Sequence, residues 1–300
     1  MDHSLKQTEL AASIVSGRPT TPEDLRLGSL LVKHGIITAN QVTTILARAH
    51  KDHVPFGEAA LRSGLVGDHE LNRIIAIQFR HKLVNPEKSR IGSEVITAFS
   101  TDDRVANEIR ALRSQLMLQW LAGESSHNRT LAIVSPERSI GRSFLAANLA
   151  TAFAQSGHRT LLIDGDLRNP RQHKLFGLAN ETGFSSVLSG RAKDSFVYRL
   201  SDLPGLSIMS AGGIPPNPAE LLLPDLLSSL FERCSHKYQV TIVDTPSADS
   251  GPDAELIASQ ASGYIMLGRA GTTQYEPMKQ LSARLTDLGA KLIGSVMSAE

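Results

Sequence analysis

The sequence predicts an α/β fold: a parallel sheet covered by helices on both faces, preceded by a small all-helical domain. Two observations predict it. From Thr130 onward, short continuous apolar runs alternate with helical stretches. That is how strands read when both faces of a parallel sheet are covered. Ahead of them lies a repeat of helix, glycine and helix, offset by 29 residues between Gly28 and Gly57 and between Gly35 and Gly64.

The 300 residues suit two domains, and a 41% apolar content can fill a proper core. The formal net charge of +1 gives no electrostatic reason to expect nucleic acid or an anionic membrane as a partner. The single cysteine, Cys234, rules out an internal disulfide or a cysteine-based zinc cluster. It lies in an apolar helical stretch and is read as a packing residue. The opening MDHSLKQTEL has no apolar h-region of a secretory signal. No apolar run approaches the ~18 residues a membrane span needs. A cytoplasmic location is therefore expected.

Residues 1–24 are polar and mixed, and are read as a mobile tail. The repeat fills residues 25–84. Leu27, Leu30 and Leu31 share one helical face, as do Val42, Ile45 and Leu46. Gly35 and Gly64 stand where the first helix of each copy should stop in a left-handed conformation. Asn40 and Asp68 are candidate caps of the second helices. Residues 85–103, with Asn85-Pro86, Gly92 and Asp102-Asp103, carry a linker signal. Val105, Ile109, Leu112, Leu116 and Trp120 then recur every three or four positions, which predicts a helix capped by Asp102 or Asp103.

In the last part, 104–300, strands are predicted at Leu131–Val134, Thr160–Ile163, Leu206–Met209, Val240–Val243 and Tyr264–Leu267. Ligands of such sheets bind at the C-terminal strand ends, and three of these ends carry chemistry. The first runs into Ser135-Pro-Glu-Arg-Ser-Ile-Gly141-Arg142-Ser143, which opens a helix. A strand, a small-residue loop and a helix start aim backbone N–H groups at a polyphosphate. The loop departs from the P-loop pattern G-x-x-x-x-G-K-[ST], with Pro136 for the first glycine and Arg142 for the lysine. Alone, it reads equally as a phosphate site or as an ordinary strand–helix turn. The second end, Asp164-Gly-Asp166-Leu-Arg168, sets two carboxylates and a guanidinium together; the third is Asp244-Thr-Pro246. Carboxylates facing a polyphosphate hold Mg²⁺ and orient the group that receives the phosphoryl. Any one of these aspartates could instead cap the next helix. Three beside one loop favour the site.

These elements resemble the Walker A, A′ and B motifs of bacterial tyrosine kinases of exopolysaccharide synthesis. The likeness extends to Asp166–Phe176, to Pro215-Pro-Asn-Pro-Ala-Glu-Leu-Leu222 and to Asp253-Ala254, and covers about residues 104–298. It is similar above all to EpsG-type chain-length-determinant tyrosine kinases, which carry a helical N-terminal extension. The related ParA/MinD ATPases need a second lysine early in the loop, where Glu137 stands here. The resemblance implies a P-loop fold that binds ATP and Mg²⁺. Implied nucleotide contacts are Ser139, Ile140, Gly141, Arg142, Ser143, Phe144 and Arg168. Implied metal ligands are Ser143, Asp164 and Asp244. Asp164 would accept the proton, with Asp166 beside it and Arg142 on the phosphates. Arg142 and Pro136 also leave open a nucleotide-gated regulator with little catalysis. So do the four scattered tyrosines, Tyr198, Tyr238, Tyr264 and Tyr275. The family forms rings through Glu-x-x-Arg-x-x-Arg; Arg110 and Arg113 fit, but Asn107 stands at the glutamate position. A homo-oligomer is expected, with a membrane chain-length-determinant activator and the polysaccharide export machinery as partners. Such a chain would lie at the inner membrane through that partner.

The repeat resembles the MshEN domain, many members of which bind cyclic-di-GMP. The resemblance implies a candidate site at Arg26, Leu27, Gly28, Leu31, Gly35, Phe56, Gly57, Leu61 and Gly64. Leu27, Leu31, Phe56 and Leu61 would pack on the purines. A helical docking module without a small ligand is the competing reading.

Overall fold

The structure is a computed structural model. It describes residues 22–67, 70–71, 74, 83–121, 129–193 and 196–298, with side chains from Leu27 onward. The chain divides into two compact units, Met1–Leu83 and Val84–Glu300. The tail expected over residues 1–24 lies largely outside the described residues.

In the first unit, helices α1 (Pro22–Lys33), α2 (Ala39–Asp52) and α3 (Phe56–Arg62) follow the repeat. Gly35 and Gly64 take φ of 70° and 68°, in the left-handed region that ends the first helix of each copy. The cap of α2 is Thr38 rather than Asn40. Its side chain accepts from the Gln41 N–H, while Gln41 Oε1 accepts from the Thr38 N–H at 2.7 Å. Half of this box recurs in the second copy, where the Gly67 N–H donates to Glu70 Oε2 at 3.2 Å. Asp68 lies outside the described residues. The repeat also shows in packing. A Cβ on Gly28 would meet Val42 Cγ1 at 2.9 Å, and one on Gly57 would meet Leu71 Cδ2 at 3.5 Å.

This unit's core corrects the proposed ligand surface. Leu27, Leu31 and Phe56 are 8%, 0% and 1% exposed and pack against one another, with Leu61 partly buried on the same core. They fill the unit's interior and cannot stack on a purine without opening it. The Arg26 side chain is outside the described residues.

The second unit is a seven-stranded sheet of order β3-β4-β2-β5-β1-β6-β7. The strands are β1 (Thr130–Val134), β2 (Thr160–Asp164), β3 (Tyr198–Arg199), β4 (Leu206–Met209), β5 (Val240–Asp244), β6 (Gly263–Arg269) and β7 (Leu292–Ser298). All pairings are parallel except β3 with β4. The side-chain period of two feeds two cores, one on each face. Leu131, Ile133, Leu162 and Ile242 join Leu149 and Phe153 of the helix Arg142–Gln155. Ala132, Val134, Leu161 and Val243 join Leu227, Phe231 and Cys234 of the helix Pro224–Lys237. Cys234 is a buried packing residue of the second core. Among the described residues no helix is long and apolar enough to cross a membrane.

The linker expected at 85–103 is instead packed structure within the second unit. Val95, Thr97 and Ala98 are fully buried. The Thr97 N–H donates to Asn148 Oδ1 at 3.0 Å, Gln155 Nε2 donates to the Thr97 carbonyl at 2.8 Å, and Asn148 Nδ2 donates to the Glu94 carbonyl at 2.9 Å. This strap lies along the helix that follows the Ser135–Ser143 loop. The next helix, Arg104–Leu116, is capped by Asp103 and runs into a π-helical turn at Met117–Leu121. Arg110 serves the strap, and Arg113 the helix Arg142–Gln155 beside it. The Arg110 guanidinium donates to the carbonyls of Thr97, Ser100 and Thr101; that of Arg113 donates to the Ala152 carbonyl.

Two stability predictions follow from these contacts. Asn148→Ala strands the buried Thr97 N–H, so it should cost about 1–3 kcal/mol in urea unfolding. In the repeat, Gly57→Ala is expected to be neutral or stabilising by up to about 1 kcal/mol through helix propensity. Gly28→Ala should destabilise, because Val42 must move. Equal effects of the two glycine variants in thermal unfolding would contradict the packing asymmetry.

Candidate functional site

The carboxyl ends of β1, β2 and β5 converge. In the register of β2 with β5, Asp164 lies directly opposite Asp244. Like charges opposed in this way are unfavourable, and both side chains are fully buried. Gly165 makes the approach feasible: its N–H donates to the Asp244 carbonyl at 2.8 Å, and a Cβ there would stand 2.7 Å from the same oxygen. Asp164 Oδ2 accepts from the N–H groups of Arg171 and Gln172, at 3.0 and 2.8 Å. Asp244 Oδ2 accepts from Gln172 Nε2 at 2.8 Å.

The other oxygens of the pair, Asp164 Oδ1 and Asp244 Oδ1, are buried with no hydrogen-bond partner, as is Gln172 Oε1. Burial and the neighbouring Asp244 push Asp164 well above the usual carboxylate range. Burial also pushes Asp244 up to about 6, against the hydrogen bonds from Gln172 and Ser143 and the Arg142 charge, which favour its ionised form. Orphaned, buried acceptors on two opposed carboxylates fit a cation. Two carboxylates with the Ser143 hydroxyl suit Mg²⁺, which takes few protein ligands and completes its shell with phosphate and water.

The loop is arranged for an anion. The helix Arg142–Gln155 has Gly141 at its N-cap with φ 101°, and no side chain caps it. Its first N–H groups therefore lack intrahelical partners and point beyond the helix end. Ser139 holds φ 61°, which a residue with a Cβ seldom takes. A cavity of about 400 Å³ opens here, lined by Arg138, Ser139, Gly141, Arg142, Ser143, Asp166, Asn169, Arg171, Ser247 and Ser250. Asp164 and Asp244 stand one hydrogen bond behind its wall, through Arg171 and Ser143 respectively.

Most of the residues expected from the sequence come together here, with differences in role. Arg142 is 8% exposed and braces the loop. Its Nε donates to the Thr245 carbonyl at 2.9 Å, and its Nη1 to the Glu137 carbonyl at 2.7 Å and to Ser135 Oγ. Asp166 Oδ1 accepts from the N–H groups of Arg168 and Asn169, which fixes the turn after β2. Ile140 points into the core and Phe144 packs against it, so each offers only its backbone to the loop. Arg168 does not line the cavity; its guanidinium forms a two-bond pair with the buried Asp253, at 2.8 and 3.1 Å. The sequence reading missed Arg171 and Gln172. Arg171 lines the cavity and pairs with Glu94 at 2.6 Å. The available signal was a polar run, Asn169 to His173, directly after an acidic strand end.

The fold and this site define a P-loop nucleotide-binding domain. No family model matches the chain. It is 32% identical over 222 residues to tyrosine-protein kinase YwqD of Bacillus subtilis (strain 168), covering 74% of this chain and 86% of that protein. It is 31% identical over 215 residues to tyrosine-protein kinase ptk of Acinetobacter johnsonii, of which it spans only 29%. The kinase domain of Escherichia coli tyrosine kinase ETK superposes with a TM-score of 0.61 at 29% identity, covering 66% of this chain and 76% of that one. The chain belongs to the bacterial tyrosine-protein kinase family.

The carboxylate pair carries a stability prediction with a definite sign. Folded Asp244 keeps its proton to about pH 6, whereas an unfolded aspartate releases it near ~3.9. Between these values the folded state binds more protons, so stability falls as pH rises through the window. Asp244→Asn should therefore stabilise the chain by about 1–3 kcal/mol at pH 8, with little effect at pH 4. Urea titration at both pH values checks this, and a wild type more stable than the variant at pH 8 contradicts it.

Proposed function

We propose that the chain binds ATP with Mg²⁺ at the Ser135–Ser143 loop and works as a tyrosine-kinase-type regulator of exopolysaccharide chain length and export. The observation that carries this is the pair of orphaned oxygens, Asp164 Oδ1 and Asp244 Oδ1, beside a loop and helix start suited to phosphates. Ser143 and Asp244, with Asp164, would hold Mg²⁺, which would supply charge neutralisation on the phosphates. Asp164, whose affinity for a proton is raised by burial and by Asp244, would accept the proton of the attacking hydroxyl. The loop N–H groups from Ser139 to Ser143 would cradle the phosphates. Likeness to EpsG-type kinases supports a membrane chain-length-determinant protein as activator, a homo-oligomer, and action at the inner membrane through that partner. Likeness of the repeat to the MshEN domain supports an input role for the first unit, with its exposed helix faces docking a protein.

A second reading is favoured by one observation. The Arg142 guanidinium is bonded to the carbonyls of Glu137 in the loop and Thr245 after β5, so its contribution to the phosphates would be smaller than that of a mobile lysine. Turnover would then be slow, and bound nucleotide would act mainly as a gate.

Both readings require Mg²⁺-dependent ATP binding, measured by calorimetry on the whole chain. ATP binding and turnover that ignore Mg²⁺, with and without the partner's cytoplasmic segment, would overturn them. The kinase reading further predicts phosphotyrosine by mass spectrometry, reduced at least about 100-fold in Asp164→Ala. Of the four tyrosines Tyr275 is 77% exposed and Tyr264 is fully buried, with Tyr198 and Tyr238 half-buried. Self-phosphorylation is therefore expected at Tyr275.

A further inference from the structure

Gln172 is a fully buried polar residue at the carboxylate pair. It opens the one-turn helix Gln172–Leu175, and its own N–H donates to Asp164 Oδ2 at 2.8 Å. Its side-chain amide donates twice: to Asp244 Oδ2 at 2.8 Å and to the Ser143 carbonyl at 3.0 Å. Both neighbours accept hydrogen bonds, which fixes the amide with its NH₂ towards them. One residue thus touches the ends of β2 and β5 and the start of the loop helix.

An apolar side chain of the same length would fill this space without the cost of burying an amide. It would also remove the Gln172 hydrogen bond to Asp244 Oδ2, leaving that carboxylate only the Ser143 hydroxyl against rotation about its Cβ–Cγ bond. That rotation would exchange the oxygen facing the cation position with the one facing the protein.

We propose that Gln172 is the positioning residue of the metal site, fixing Asp244 through Oδ2 so that Oδ1 stays available to Mg²⁺, and tying that carboxylate to the Ser143 end of the loop. This rests on the Mg²⁺–nucleotide reading above. Gln172 does not touch nucleotide in this role; it acts through Asp244 and Ser143. Its loss should therefore appear in metal dependence before it appears in nucleotide affinity.

The test uses the whole chain, with Mn²⁺ binding in the presence of ADP followed by electron paramagnetic resonance. The affinity for a fluorescent ADP analogue is measured in parallel, with Mg²⁺ and with EDTA. Gln172→Leu is expected to weaken Mn²⁺ binding about tenfold, with the affinity in EDTA within about twofold of wild type. Gln172→Met, matched in length, replaces it if the leucine variant does not fold. Unchanged Mn²⁺ affinity in the variant overturns the inference. So does an equal loss of nucleotide affinity in EDTA and in Mg²⁺, which is what general damage to the loop would cause. A wild-type chain whose ADP binding ignores divalent ions overturns the nucleotide reading itself, a result distinct from either.

Discussion

Two buried aspartates held opposite each other, with one oxygen each left without a protein partner, set the constraint on which the rest of this domain depends. The register of β2 with β5 brings Asp164 and Asp244 together. Left alone, the pair would repel at neutral pH and pull the strand ends apart. The surroundings answer that repulsion at particular points. Gly165 permits the backbone contact, the N–H groups of Arg171 and Gln172 hold one carboxylate, and the Gln172 amide holds the other. Arg142 brings a buried cation to the same end of the sheet. Two oxygens still remain unmatched. A site that is unfavourable alone and favourable with a divalent cation binds that cation with the strain it relieves, a common compromise between stability and function.

Around this point the second unit behaves as one clasp. The strap through Glu94 and Thr97 is bonded to Asn148 and Gln155 on the loop helix. Glu94 also pairs with Arg171, the residue whose N–H holds Asp164. The exposed Glu94–Arg171 pair adds little stability by itself. Its position matters more, because a change in the strap reaches the carboxylate through a single residue. Arg110 closes the other side of the strap by capping its carbonyls, and Arg113 is bonded to the Ala152 carbonyl of the loop helix. Residues that resemble part of an assembly motif are thus committed within their own chain, and replacing them would disturb the fold before it reported on any ring.

What was legible in the sequence was what leaves a local pattern. β1, β2, β4, β5 and β6 are continuous apolar runs because both faces are covered, and the three aspartates are visible because each ends or follows such a run. The repeat was legible for the same reason: Gly35 and Gly64 must take positive φ wherever the helix stops. β7 was missed because Leu292–Ser298 is an edge strand, half-exposed and broken by Gly294 and Ser295. β3 is two residues long. The strap read as a linker because its Pro and Gly are local signals, while its partners Asn148 and Gln155 lie more than fifty residues away. Gln172 left only the polar run after β2, in which nothing marks which amide will be buried. The first unit taught the reverse lesson. Leu27, Leu31 and Phe56 were expected against a ligand on resemblance alone, and the structure buries them in the core.

A divalent cation that binds the unpartnered oxygens of Asp164 and Asp244 must displace the protons that burial favours on this pair. Titration calorimetry of Mg²⁺ with ADP near pH 6, repeated in buffers of different ionisation enthalpy, counts those protons directly. Asp244 is half-protonated at about that pH, so release of about half a proton or more per site is expected. A binding enthalpy that does not change with the buffer would contradict the claim.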